Sequence, residues 1–321
     1  MLLDKKMKLN PNFVNLFSDI TSKAAIASYP HVGSGNKNKA DDAAVKVMRK
    51  SLNELDIKGR IVIGEGELDK APMLYIGEKV GTYSGEEIDI AVDPIEGTNF
   101  VAKNLPGGIS VLAAAPKNGL FNSPETYMHK LAFSGQIEKD ALDLDFTNEK
   151  NFKNLADSLN KKIEDLNICL LDRPRHNEII ETAKKFKINI KLISDGDVAG
   201  ALLVTNKIYN IDLFLGIGGG PEGVIAASAL DSYNCNFKGK FIFSSEDDKL
   251  RAQKMGINEF DKKYDLKDIV KGDSIFSATG ITSGDLVNGI KKKNNEFITE
   301  TLVTHKSQKL VKKIEKTTVI K

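Results

Sequence analysis

The chain has 321 residues, 41% of them hydrophobic and 28% charged, with a formal net charge of +2. That length suits one large domain or two of ordinary size, with enough apolar residues for a substantial core. The near-neutral balance gives no general case for nucleic-acid binding, and no stretch approaches the roughly 20 apolar residues needed to span a bilayer. The opening MLLDKKMKLNPNF lacks an apolar run of signal-peptide length. The two cysteines, Cys169 and Cys235, have no CxxC spacing, which argues against a disulfide framework and against a thiolate zinc site. A cytoplasmic protein is expected. Only five of the 46 basic residues are arginines, and two of those five, Arg173 and Arg175, flank a single proline.

In chain order, residues 11–29 read as a helix, with Leu16, Ile20 and Ala24 at helical spacing. The glycine-broken loop 33–38 follows, then a second helix over about 40–55. Residues 60–63 form a short apolar strand that ends in the loop 64–69. Residues 89–93 form another strand, which ends in DPIEGT (93–98), and 109–115 a third. The second half alternates: strand 168–172, helix 176–186, strand 190–194, helix 197–205, strand 211–217, and a helix over 221–230 with proline in its first turn. That rhythm predicts a layered α/β domain. The polar segment 135–167 reads as a linker region, and the tail, FITETLVT and KLVKKIEKTTVI, as a pair of strands.

The informative pattern is where the acids fall. Glu65, Asp93 and Glu96 lie just after short apolar strands, where open α/β sheets place their ligand sites. Carboxylates gathered there repel one another unless a cation sits between them. With no histidine or cysteine among them, the donors suit a hard divalent ion, Mg²⁺ or Mn²⁺. Within DPIEGT, Pro94 fixes its φ and Gly97 permits a backbone geometry other residues resist. Thr98 offers a hydroxyl and the amides of a helix start, suited to phosphate. For Asp195 and Asp197 the pattern leaves two readings open, sugar-hydroxyl acceptors or a turn and helix N-cap. Arg173 and Arg175, two apart in a segment expected to be extended, would face the same way and could hold a phosphate that is not cleaved. The run Gly216–Gly220 lacks dinucleotide-loop spacing. His31, His129, His176 and His305 are scattered, which favours surface or packing roles.

DPIEGT resembles the metal signature of the lithium-sensitive phosphatases, which include inositol monophosphatases and fructose-1,6-bisphosphatases. Further segments match class II fructose-1,6-bisphosphatases of the GlpX type in the same order: GNKNKADDAAV, VIGEGELDKAPMLYIGEKVG, DRPRH, DGDVAGALL, GIGGGPEGVIAASAL and IFSATGITSGDL. The resemblance covers nearly the whole chain. It implies an α/β, layered α+β sandwich in the two-domain sugar phosphatase fold, with a metal-binding domain over 1–165 and a sugar-phosphate-binding domain over 166–321. It also implies residue roles. Asp41 and Glu65 would hold one metal, and Asp93, Glu96 and Glu222 the other. Thr98, with Asp69, would orient or deprotonate the attacking water, and Lys37 would neutralise phosphate. Tyr127, Arg173, Pro174, Arg175, Asp195, Gly196, Asp197 and Gly219 would bind the sugar bisphosphate, with Glu96, Gly97 and Thr98. The expected reaction is hydrolysis of the 1-phosphate of D-fructose 1,6-bisphosphate in gluconeogenesis, using Mn²⁺ or Mg²⁺. The enzyme would be a homo-oligomer, dimer or tetramer, with no nucleic-acid or membrane partner. Sedoheptulose-1,7-bisphosphatase activity, alone or in addition, is the nearest alternative. Inositol monophosphatase-like activity would leave the arginines without a second phosphate. A non-enzymatic metal-binding protein fits poorly with the intact acids.

Overall fold

A computed structural model of the chain describes residues 7–66 and 72–319. The chain opens with α1 (Phe13–Ser28) and α2 (Lys37–Asn53), then β1 (Ile57–Ile63), β2 (Lys79–Val80), β3 (Glu86–Glu96), α3 (Thr98–Lys103) and β4 (Ile109–Pro116). Its middle holds β5 (Tyr127–Phe133), α4 (Asn148–Leu159), β6 (Asn167–Leu171), α5 (Asn177–Lys185), β7 (Asn189–Ile193), α6 (Asp197–Leu202) and β8 (Leu213–Gly219). There follow α7 (Gly220–Ser232), β9 (Asn236–Ile242), α8 (Glu246–Lys254), β10 (Lys263–Asp265) and α9 (Leu266–Ile269). It closes with β11 (Ile275–Gly280), β12 (Lys291–Lys293), β13 (Glu296–His305) and β14 (Leu310–Val319). Two compact units result: residues up to Asn122 together with those from Val270 on, and Ser123–Ile269 between them.

This division corrects the one expected at 165/166. β5, read as part of the first half, lies inside the second unit's sheet between β8 and β9. The C-terminal strands, read with the second half, return to the first unit, where β11 pairs with β4. Nor is 135–167 a linker: Phe152, Leu155 and Ala156 of α4 are buried in the second unit's core.

In the first unit the strand order among the described residues is β12-β13-β11-β4-β3-β1-β2, with β14 on β13. Phe13, Phe17, Ile20 and Ala24 of α1 recur at helical spacing and bury against Ile61, Ile90 and Leu112 of the sheet, with Met48 and Leu52 of α2 beside them. β1 and β3 run parallel, so both end on the same side of the sheet. The N-terminal segment is tied down by Asp273, which is fully buried. Its carboxylate accepts from the Leu9 amide at 3.0 Å, His305 Nε2 at 2.9 Å and the Ser307 amide and hydroxyl at 2.8 and 2.7 Å. The chain leaves and re-enters this unit at one place: Leu120 bridges to Val270, and the Lys271 amide donates to the Gly119 carbonyl at 2.8 Å.

In the second unit the order is β10-β9-β5-β8-β6-β7, with β6, β7 and β8 parallel and β5, β9 and β10 antiparallel to their neighbours. Leu131, Phe133, Leu213 and Leu215 pack against α4 and α5. On the alternate residues, Met128 and Lys130 lie close to Gly223 of α7.

Candidate active site

In the first unit the parallel pairing of β1 with β3 decides where the acids go. Glu65 follows the end of β1, and Asp93 and Glu96 close β3 beside it. The strand does not stop at Asp93 as the sequence suggested. It continues to Glu96 through an irregularity in its pairing with β4 between Asp93 and Glu96. The Ile95 amide donates to Asp93 Oδ1 at 3.1 Å, which turns the chain locally, and Glu96 is buried. Gly97 then takes the left-handed conformation, φ +81, and caps α3, so Thr98 is the first helical residue as expected.

Asn36 caps α2 by accepting from the Lys39 amide at 3.1 Å. Lys37 and Asp41, four apart, share a face of that helix. The amides of Gly33 and Gly35 donate to the carbonyls of Val101 and Ala102 at 2.9 and 2.8 Å, which places the start of α2 against α3. Asp41 and Glu65 meet: their carboxyls share a hydrogen bond. Burial pushes the Asp41 carboxyl above its ordinary value; the bond to Glu65 opposes this and the charge of Asp42 adds to it. Two carboxyls brought together repel one another unless a proton or a cation offsets their charge. Oxygen donors of this kind fit Mg²⁺ or Mn²⁺. Among the described residues no three His, Cys, Asp or Glu side chains form a complete metal-holding group. Asp69 lies outside the described residues.

The backbone of Glu65 is held by a device the sequence reading missed. Its amide donates to the Leu74 carbonyl at 3.0 Å. The Leu74 amide in turn donates to Glu78, a buried carboxylate that also takes Arg49 Nε at 2.6 Å. A side chain at Gly64 would place its Cβ 1.9 Å from the Leu74 carbonyl oxygen, so only glycine fits there.

In the second unit β5 and β8 bring several expected residues together. Tyr127 stands directly opposite Gly219 in the antiparallel register. The Arg175 guanidinium lies over the Tyr127 ring, 4.8 Å from its centre, and its Nε and Nη2 donate to the Ile217 carbonyl at 3.0 and 2.8 Å. Gly219 also abuts Glu222 in the first turn of α7: a Cβ there would fall 1.8 Å from Glu222 Oε2. A cavity of about 320 Å³ opens beside them, lined by Tyr127, Gly219, Pro221 and Glu222 together with Glu125 and Asp248.

The arginine segment is not extended. Arg173 is, but Pro174–His176 form a turn of 3₁₀ helix, so the two arginines do not simply face the same way. Proline pre-sets the φ of that turn. The turn is locked by His176, which is buried and donates from Nδ1 to the Leu171 carbonyl at 2.7 Å while Nε2 accepts from the Ile217 amide at 2.8 Å. Burial lowers the His176 pKa, with the charges of both arginines acting in the same direction. This histidine therefore has the packing role the sequence suggested, and it also ties the arginine turn to β8. Arg173 Nη1 donates to the Asp172 carbonyl at 2.9 Å.

Of the open readings for Asp195 and Asp197, the N-cap is not realised. Gly196, left-handed at φ +78, caps α6 without a side-chain bond, and Asp197 is the first helical residue. Its buried carboxylate instead pairs with Lys130, which the sequence reading missed. The signal was present. Met128, Lys130 and Ala132 alternate on one face of YMHKLAF, and a lysine on an apolar face needs a partner.

Carboxylates at one pair of strand ends, and an arginine stacked on a tyrosine beside a cavity at another, are the equipment of a phosphatase of phosphorylated small molecules. Comparison with known proteins makes the assignment specific. A family model described as bacterial fructose-1,6-bisphosphatase, glpX-encoded, matches residues 12–318. The class 2 fructose-1,6-bisphosphatase of Haemophilus influenzae is 41% identical over 312 residues, 93% of each chain. Fructose-1,6-bisphosphatase 1 class 2 of Escherichia coli K12 is 41% identical over 313 residues, again 93% of each. The D-fructose 1,6-bisphosphatase class 2/sedoheptulose 1,7-bisphosphatase of Synechocystis is 41% identical over 310 residues, 89% of this chain and 90% of that one. The chain belongs to the bacterial glpX-encoded fructose-1,6-bisphosphatase family.

Proposed function

We propose that the enzyme hydrolyses the 1-phosphate of D-fructose 1,6-bisphosphate, releasing fructose 6-phosphate and phosphate in gluconeogenesis. The observation that carries this is the family match, which runs through both units from residue 12 to residue 318. Asp41, Glu65, Asp93, Glu96 and Glu222 are the proposed cation ligands, with Mn²⁺ or Mg²⁺ as the ion. When bound, the cation neutralises charge on the transferred phosphoryl group. Asp69 and Thr98 orient the attacking water and take its proton, and Lys37 adds positive charge at the phosphate. Tyr127, Arg173, Pro174 and Arg175 hold the phosphate that is not cleaved, while Asp195, Gly196, Asp197 and Gly219 line the sugar, joined by Glu96, Gly97 and Thr98. The stacking of Arg175 on Tyr127 supports that grouping. Cys169 and Cys235 are both buried and neither is in a disulfide, which suits a reducing cytoplasm. A homo-oligomer is part of the same reading.

Purified enzyme is expected to release phosphate from fructose 1,6-bisphosphate when Mn²⁺ or Mg²⁺ is added and to stop on chelation. No release with either metal would sink the proposal. A second reading, activity on sedoheptulose 1,7-bisphosphate, is favoured by one observation: the relative named for both activities is as similar, at 41% identity, as the relatives named for one. Parallel assays of the two substrates separate the readings.

A further inference from the structure

Lys130 is a buried ion of the second unit that the proposed reaction does not use. It sits in the middle of β5, directly opposite Gly216 of β8 and Gly239 of β9. Only 2% of it is exposed. Glycines also leave space along the side chain: a Cβ at Gly223 would lie 3.3 Å from its Cδ, and one at Gly218 would lie 2.9 Å from its Nζ. The ammonium donates to Asp197 Oδ2 and, at 2.7 Å, to the Gly219 carbonyl.

Stability alone is a weak reason to keep such a group. Apolar residues of similar volume often replace a buried ion pair without loss, because desolvating two charges offsets their attraction. What Lys130 does uniquely is join two separated pieces of chain. Asp197 starts α6 and Gly219 ends β8, and both belong to the sugar-lining set. Gly218 enforces the arrangement, since a Cβ there would fall 1.9 Å from Asp197 Oδ2.

We propose that Lys130 is a positioning residue that fixes the Asp197 carboxylate and the Gly219 backbone as one recognition surface for the sugar hydroxyls, with Asp197 Oδ2 held by Lys130 and Oδ1 given to the substrate. The proposal rests on the bisphosphatase reading above. Its effect falls on substrate binding rather than on the phosphoryl step.

The test is steady-state kinetics on fructose 1,6-bisphosphate with Mn²⁺ for the wild type, Lys130→Met, Gly218→Ala, Asp197→Asn and the Lys130→Met/Asp197→Asn double variant. Each single variant is expected to raise KM about tenfold, the scale of one hydrogen bond to a charged group, with kcat within about threefold. The double variant is expected to be no worse than Lys130→Met alone. Gly218→Ala keeps the lysine but forces the carboxylate, 1.9 Å from the new Cβ, and the tip of the ammonium, 2.9 Å from it, to shift, so it carries the test if Lys130→Met does not fold. Wild-type KM in Gly218→Ala, a loss confined to kcat, or independent losses in the double variant would overturn the positioning role while leaving the bisphosphatase reading intact. No phosphate release by the wild type would sink that reading and this proposal with it.

Discussion

The guanidinium of Arg175 lies over the ring of Tyr127, 4.8 Å from its centre, while two of its N–H groups hold the Ile217 carbonyl. Stacking and bidentate donation both depend on a flat, forked cation, so lysine cannot substitute. Arg175→Ala is expected to raise KM for fructose 1,6-bisphosphate about tenfold or more with little change in kcat, and Arg175→Lys to recover only a small part. Steady-state kinetics decide it, and an unchanged KM in the alanine variant removes Arg175 from the site.

Gly219 is fixed by the carboxylate beside it. Gly219→Ala places a methyl group 1.8 Å from the present position of Glu222 Oε2, so that side chain must move. The expected result is roughly a 10- to 100-fold loss of activity, the usual scale for disturbing the support of a ligand. Melting temperature should change little, because the glycine lies at a strand end. Equal activity in the variant would show that Glu222 need not occupy its present place.

The Asp41–Glu65 bond gives a prediction about the cation. Asp41→Asn keeps the shape and the hydrogen bond but removes a charge that the ion would meet. The Mn²⁺ concentration for half-maximal activity is expected to rise roughly tenfold or more, with direct binding by calorimetry weakened in step. Wild-type metal affinity would take Asp41 out of the ligand set.

Asp273 makes stability depend on acid. Burial raises its pKa, but the bonds from His305, the Leu9 amide and Ser307 together outweigh this and hold it below the ordinary carboxylate value. A carboxyl with a depressed folded pKa binds protons more readily when unfolded. Its contribution is therefore complete above the unfolded value and fades as pH falls through the folded one. Asp273→Asn is expected to cost about 2 kcal/mol or more at neutral pH, since charged acceptors are lost from a buried network. In urea unfolding the gap between wild type and variant should narrow as the pH falls below the ordinary aspartate value of about 4. A gap that stays constant contradicts the assignment.

How far the sequence could be read depended on whether burial was local. Short, largely apolar runs such as 60–63, 89–93 and 109–115 announce strands, and all three lie in strands. The acids that follow the first two are carried by parallel neighbouring strands, so their place at one end of the sheet was legible. β5 and β9, YMHKLAF and NFKGKFI, were not read, because lysines interrupt their apolar pattern. Lys130 is made tolerable by a carboxylate 67 positions away, and Lys238 by Asp265 27 positions away. The arginine turn failed for a related reason. Its curvature comes from His176 bonding to Ile217, 41 positions on, which no local spacing reveals.

The stem formed by Gly119, Leu120, Val270 and Lys271 has a consequence for how this protein can vary. Residues 123–269 are an insert whose two ends share one address. In genetic terms the whole stretch is a cassette. Its exchange between relatives would cut the backbone only at this short seam, and the sheet of the first unit would lose no strand in the process. Recombination at that seam would let the two halves of the gene acquire changes at different rates.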